Sequence, residues 1–113
     1  MSISHLPLRE FQSDALKALK GRLQERPGIL RLVLFGSAAR GKLDRESDLD
    51  VLVLTSYPFT RQERHQITDI AFEINLAYGT NISTLVVNQE SWEKGRVSVL
   101  PLHAAVEKEG VPL

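Results

Sequence analysis

Asp48 and Asp50 open one apolar run, Val51 to Leu54, and a glycine–serine pair, Gly36-Ser37, closes another, Leu32 to Phe35. Runs of this length, rich in Val and Leu and bounded by turn formers, read as buried strands. A strand ending in glycine can turn sharply, and with no side chain at Gly36 the neighbouring amides can approach an anion closely. Ser37 adds a hydroxyl and reads as the cap of a short helix, Ala38-Ala39-Arg40, that ends at Gly41. The start of such a helix favours an anion, and Arg40 and Lys42 add positive charge. Glycine–serine pairs also occur in ordinary strand–turn corners, so this half alone specifies little.

The aspartates narrow the chemistry. Two apart at the head of a strand, they share one face, while Leu49 and Val51 point the other way into apolar packing. Side-by-side carboxylates repel. A hard divalent cation such as Mg2+ relieves that repulsion and is held jointly by carboxylates and substrate phosphates. A D-x-D pair alone is weak, but a phosphate-cradling turn followed by a same-face carboxylate pair points to a polyphosphate and a metal ion.

The pattern Gly36-Ser37-Ala38-Ala39-Arg40-Gly41, then Ser47-Asp48-Leu49-Asp50 and the run Val51-Leu52-Val53, resembles the signature of the DNA polymerase beta-like nucleotidyltransferase superfamily. It is most similar to the minimal nucleotidyltransferases, whose pattern is G-S-x-A-R-G followed by S-D-[IL]-D. The motif spans about a fifth of the chain, while size and element order agree over nearly all of it. The resemblance implies Mg2+-dependent transfer of a nucleoside monophosphate from a nucleoside triphosphate, ATP by default, to an acceptor hydroxyl or phosphate. Asp48 and Asp50 would be the catalytic metal ligands, and Gly36, Ser37, Arg40 and Lys42 would hold the phosphates. It also implies a partner, since many such domains are encoded beside a helical HEPN-type protein and act as antitoxins by binding or modifying it. The active pattern carries a third carboxylate early in the next core strand. Here that position is Ser83, with Asn81 on the same face, and neither is ionised.

The elements that must position these residues follow from periodicity. Phe11, Ala15, Leu19 and Leu23 recur at four-residue steps, with Leu8 and Leu16 beside them, and predict an amphipathic helix over 8–26 that starts after Pro7 and ends at Pro27-Gly28. The first strand follows from Ile29. After the second strand, Thr60-x-x-Glu63 is a capping box. It opens a helix whose face is Ile67, Ile70, Ala71, Ile74, Ala77 and Tyr78, stopped by Gly79. His65 lies off that stripe and reads as an exposed helix residue. Asn81 to Val87, largely β-branched, is a third strand. A last helix is expected over 97–109, with Leu100, Ala104 and Val106 on its apolar side and Pro101 in its first turn or displacing its start. Trp92 reads as a packing residue rather than a base-stacking platform. His5 and His103 have no partner at metal-ligand spacing. The expected fold is α/β (α+β), polymerase beta-like, with a small mixed sheet flanked by helices and the site at the ends of the first two strands.

Composition bounds the rest. The 113 residues suit one domain, residues 1–113, and 42% hydrophobic with 25% charged residues is ordinary for a globular protein. There is no cysteine, hence no disulfide, thiolate zinc site or thiol nucleophile. No apolar run reaches ~18 residues and the N-terminus lacks a signal-peptide plan, so a cytoplasmic protein with no membrane partner is expected. Net charge is zero, but residues 1–45 carry nine Lys or Arg against four Asp or Glu, and 46–113 carry five against ten. That balance suits a phosphate-facing side and not a dedicated nucleic-acid binder. Two readings stand: an Mg2+-dependent nucleotidyltransferase acting on an acceptor hydroxyl, a partner protein's among the candidates, or a catalytically weak or inactive nucleotide-binding, antitoxin-like module that neutralises a HEPN-type partner by binding. The short chain, with no second domain to bind an acceptor, suggests a surface borrowed from a HEPN-type partner or from a homo-oligomer mate.

Overall fold

Alternation along one central strand sorts the chain into two cores. The structure is a computed structural model that describes residue 3, residues 6–41 and residues 48–113; Lys42 and Ser47, singled out above, lie outside the described residues. Strand β1 (Ile29–Phe35) pairs antiparallel with β2 (Asp48–Thr55), which runs parallel to β3 (Asn81–Asn88); a two-residue β4 (Val111–Pro112) adds to the other side of β1. The sheet order is β3-β2-β1-β4. In β2, Leu49, Val51 and Val53 are buried on one face with Leu32, Leu34 and Ile82. Leu52 and Leu54 are buried on the other with Val33, Val87, Trp92 and Val106.

Helices α1 (Glu10–Gln24) and α2 (Arg61–Tyr78) cover the first face, as their apolar stripes require. Ala15, Leu16, Leu19 and Leu23 seat α1; Ile67, Ile70, Ala71 and Ile74 seat α2. Each fully buried leucine contributes about 2 kcal/mol of transfer free energy. Arg22 and Glu73 bridge the two helices at 2.6 Å on their exposed sides. The expected capping box is present: the Thr60 hydroxyl accepts the Glu63 N–H, and the Glu63 carboxylate accepts the Thr60 N–H. Gly79 closes α2 in the left-handed conformation at φ +72°. Because β2 and β3 are parallel, α2 serves as the crossover between them.

The second face is covered by α3 (Gln89–Glu93), a 3₁₀ turn (Arg96–Val99) and α4 (Pro101–Glu109). The helix expected over 97–109 therefore starts later, at Pro101. A residue before proline avoids helical angles, and Leu100 is extended at φ −79°, ψ 148°. Leu100 and Ala104, expected on its apolar side, are exposed, and Leu102 and Val106 make the contact instead. Ala77 and Tyr78, expected on the α2 stripe, are exposed as well. Trp92 is 2% exposed and donates its indole N–H to Glu107 at 2.8 Å, so its packing role holds. His65 is exposed.

Candidate functional site

Asp48 and Asp50 begin β2 on the face that carries Leu52 and Leu54, and both are more open to solvent than the residues that follow. Asp50 pairs across the sheet with Phe35, the last residue of β1, so the next residue, Gly36, comes directly against its carboxylate. Gly36 sits at φ +79°, and a Cβ built on it would lie 2.6 Å from Asp50 Oδ2. Glycine is therefore required twice, by the left-handed backbone and by the carboxylate that fills the space a side chain would take. The sequence separates these two residues, and the β1–β2 hairpin brings them into contact.

The segment after Gly36 is not the short helix the sequence suggested. It is a pair of overlapping turns in which the Arg40 N–H donates to the Ser37 carbonyl at 3.2 Å and the Gly41 N–H to the Ala38 carbonyl at 3.1 Å. Four residues between two glycines are too few to repeat an i to i−4 bond, so the chain closes on i to i−3 bonds. Ala38 is fully buried and anchors the turn in the core, while Ser37 is exposed beside the carboxylates' end of the sheet. The amides of Ser37, Ala38 and Ala39 have no backbone partner among the described residues. A tight turn of this kind can offer several N–H groups to an anion without a helix.

Arg40 is engaged elsewhere: its guanidinium lies 3.2 Å from the Glu109 carboxylate at the end of α4, with both side chains partly exposed. Sequence reasoning gave no hint of that partner, since 69 residues separate the two. Register extended from the Leu34–Val111 pair explains it, because β4 leads the end of α4 back to the Gly36 corner.

Parallel pairing sets Ser83 opposite Asp50 and Asn81 opposite Asp48, all four on one face. Ser83 is thus the neighbour that a third carboxylate would have to replace. Glu73 cannot serve: it is on the opposite side of the sheet, bound to Arg22. Among the described residues no cluster of three or more acidic or histidine side chains occurs. The Asp50 carboxyl is held above its ordinary value, mainly by burial and further by the charge of Asp48. Two oxygen donors on one face, one of them partly desolvated and repelled by the other, suit a hard cation that completes its shell with phosphate oxygens and water.

A mixed four-stranded sheet with a glycine turn packed against one of two same-face aspartates defines an α/β domain. Residues 16–109 match the nucleotidyltransferase domain family, and the chain belongs to that family. It is similar to a candidate protein adenylyltransferase of Methanocaldococcus jannaschii, with 39% identity over 70% of this chain and 74% of the relative. Its fold matches the structure of a candidate minimal nucleotidyltransferase at TM-score 0.60 and 23% identity, covering 97% of this chain and 99% of that one. It also matches a toxin–antitoxin structure with AMP-PNP at TM-score 0.61 and 19% identity, covering 88% of this chain and 71% of that one. The four-stranded mixed sheet flanked by helices is accordingly the minimal nucleotidyltransferase fold, as the signature implied. No helix of the described residues is long and apolar enough to cross a membrane.

Proposed function

We propose that this nucleotidyltransferase transfers AMP from ATP to a hydroxyl on a partner protein, with Asp48 and Asp50 holding Mg2+ and the Gly36–Gly41 turn holding the phosphates. The observation that carries the reading is the contact between Gly36 and the Asp50 carboxylate. It sets an anion-binding turn and a cation-binding pair side by side, as a metal-bound triphosphate needs. The similarity to a candidate protein adenylyltransferase supports AMP as the transferred group and protein as the acceptor. The AMP-PNP of the related toxin–antitoxin structure supports ATP as donor, and its toxin–antitoxin assembly supports a protein partner, which we take to be HEPN-type.

In this mechanism the acceptor oxygen attacks the α-phosphorus, the bond to the β-phosphate oxygen breaks and pyrophosphate leaves. A divalent cation on the two aspartates supplies charge neutralisation along the triphosphate. The chain's own residues do the positioning: turn amides and Ser37 orient the phosphates, and Arg40 joins them on leaving Glu109. Ser83 is neutral and takes no proton at neutral pH, so the acceptor's proton passes to Asp50 or to water. Ser83 also favours a second reading, a slow or inactive module that binds nucleotide and covers its HEPN-type partner.

One experiment separates the two. Mg2+–ATP is titrated calorimetrically into wild type and into the Asp48→Asn/Asp50→Asn double variant, and the same samples are incubated with labelled ATP, with and without the product of the adjacent gene. Mg2+-dependent binding that the variant loses, with label passed to the partner, is the expected result. Binding without transfer leaves the module reading. Absence of binding overturns the site assignment.

A further inference from the structure

Among the described residues β3 is an edge strand, and it carries no charge, proline or bulge of its own to keep that edge from pairing. Its eight residues, Asn-Ile-Ser-Thr-Leu-Val-Val-Asn, contain no charge and no proline, in a chain that is 25% charged, and their register with β2 is unbroken. Asn75 reveals which way its backbone groups point. The Asn75 amide oxygen accepts the Ile82 N–H at 2.8 Å, and its amide nitrogen donates to the Ile82 carbonyl at 3.0 Å. The main-chain groups of Ile82 therefore face away from β2, and alternation turns those of Thr84 and Val86 outward too. Asn75 fills the Ile82 end of the edge, so Thr84 and Val86 remain as open rungs on either side of Leu85. Leu85 is 36% exposed, and on the opposite face of the same edge Phe72 of α2 is 61% exposed beside Thr84.

We infer that this edge pairs antiparallel with the same edge of a second copy, about a two-fold axis through Leu85. The open rungs are symmetric about that residue, so Thr84 of one copy meets Val86 of the other and the reverse, which is the self-complementarity a two-fold interface needs. An uncharged strand also meets itself without like-charge repulsion. Arg64, which lies beside the Val86–Asn88 end, falls opposite the Thr68–Phe72 stretch of the second copy instead of opposite its own counterpart. The two four-stranded sheets join into one, and the two Asp48–Asp50 sites open on the same side of it. The two Leu85 residues abut as a non-hydrogen-bonded pair with Cα atoms about 4.5 Å apart.

Because the chain has no cysteine, Leu85→Cys introduces a single thiol whose distance to its own counterpart suits a disulfide. Under mild oxidation Leu85→Cys should form covalent dimer at least about tenfold faster than Ser83→Cys or Val99→Cys, which are exposed but off the axis. Wild type should show a concentration-dependent dimer by sedimentation, and Leu85→Lys should be monomeric with unchanged circular dichroism and melting. A wild type that stays monomeric up to ~1 mM, equal cross-linking of all three thiols, or a Leu85→Lys dimer as strong as wild type overturns the inference.

Discussion

The left-handed backbone of Gly36 and the carboxylate that fills its missing side chain make this residue the hinge of the candidate site. Alanine there costs about 1–2 kcal/mol in backbone strain alone and must push Asp50 aside. Gly36→Ala should therefore lower Tm by roughly 5 °C and weaken Mg2+–ATP binding at least tenfold, as differential scanning fluorimetry and calorimetry would read. Asp50 behaves oppositely in stability. Its folded pKa is raised, so the folded state holds the proton more tightly than the unfolded state, and stability falls as pH climbs from the ordinary carboxylate value of 3.8 through the folded value. Asp50→Asn should raise Tm at pH 7 relative to wild type, a gain that disappears in acid, while abolishing metal-dependent nucleotide binding. Ser83 gives the complementary test. A carboxylate opposite Asp50 would add a metal ligand and a base, and general-base catalysis is worth about 10²-fold or more. Ser83→Asp should raise label transfer at least about tenfold; no gain would show that proton removal does not limit the rate.

At the scale of elements, periodicity was a good guide wherever one face is buried. The four-step row from Ala15 to Leu23, the runs of β1 and β2 and the Ile67–Ile74 stripe each met the core they implied. Legibility failed where tertiary contacts choose the conformation. The turn after Gly36 is held by buried Ala38 and not by helix propensity, and α4 starts at Pro101 because Leu100 must be extended. The two-residue β4 has no pattern of its own: it exists because Val111 and Pro112 pair with Leu34 and Val33. The capping box of α2 is the element whose energetics the sequence states outright. Thr60→Ala should cost about 1 kcal/mol at neutral pH. The Glu63 carboxyl is held below its ordinary value of 4.5, first by the Thr60 N–H it accepts and also by the Tyr57 hydroxyl. A depressed acid stabilises above its unfolded pKa, and that contribution fades as pH falls from 4.5 through the folded value. The gap between wild type and Glu63→Ala in urea unfolding should therefore narrow below pH 4.5.

Over the whole molecule, the two ends of the described chain are tied to the carboxylate end of the sheet. Pro7 approaches Gly41, and the last helix returns Glu109 to Arg40. The sequence showed a basic first part and an acidic remainder, but it could not show that one acidic residue of α4 pairs with the arginine of the Gly36–Gly41 turn. That tie has a consequence for binding. A triphosphate drawing on Arg40 must compete with the Glu109 carboxylate, and a partly exposed pair of this kind contributes only about 0.2–1 kcal/mol. Glu109→Gln should leave Tm nearly unchanged yet tighten Mg2+–ATP binding by about two- to fivefold. The effect should shrink at high salt, because screening weakens the competing ion pair. Calorimetric titrations at two salt concentrations would measure it. An affinity unchanged or lowered in Glu109→Gln would mean that Glu109 orients Arg40 toward the phosphates instead of withholding it.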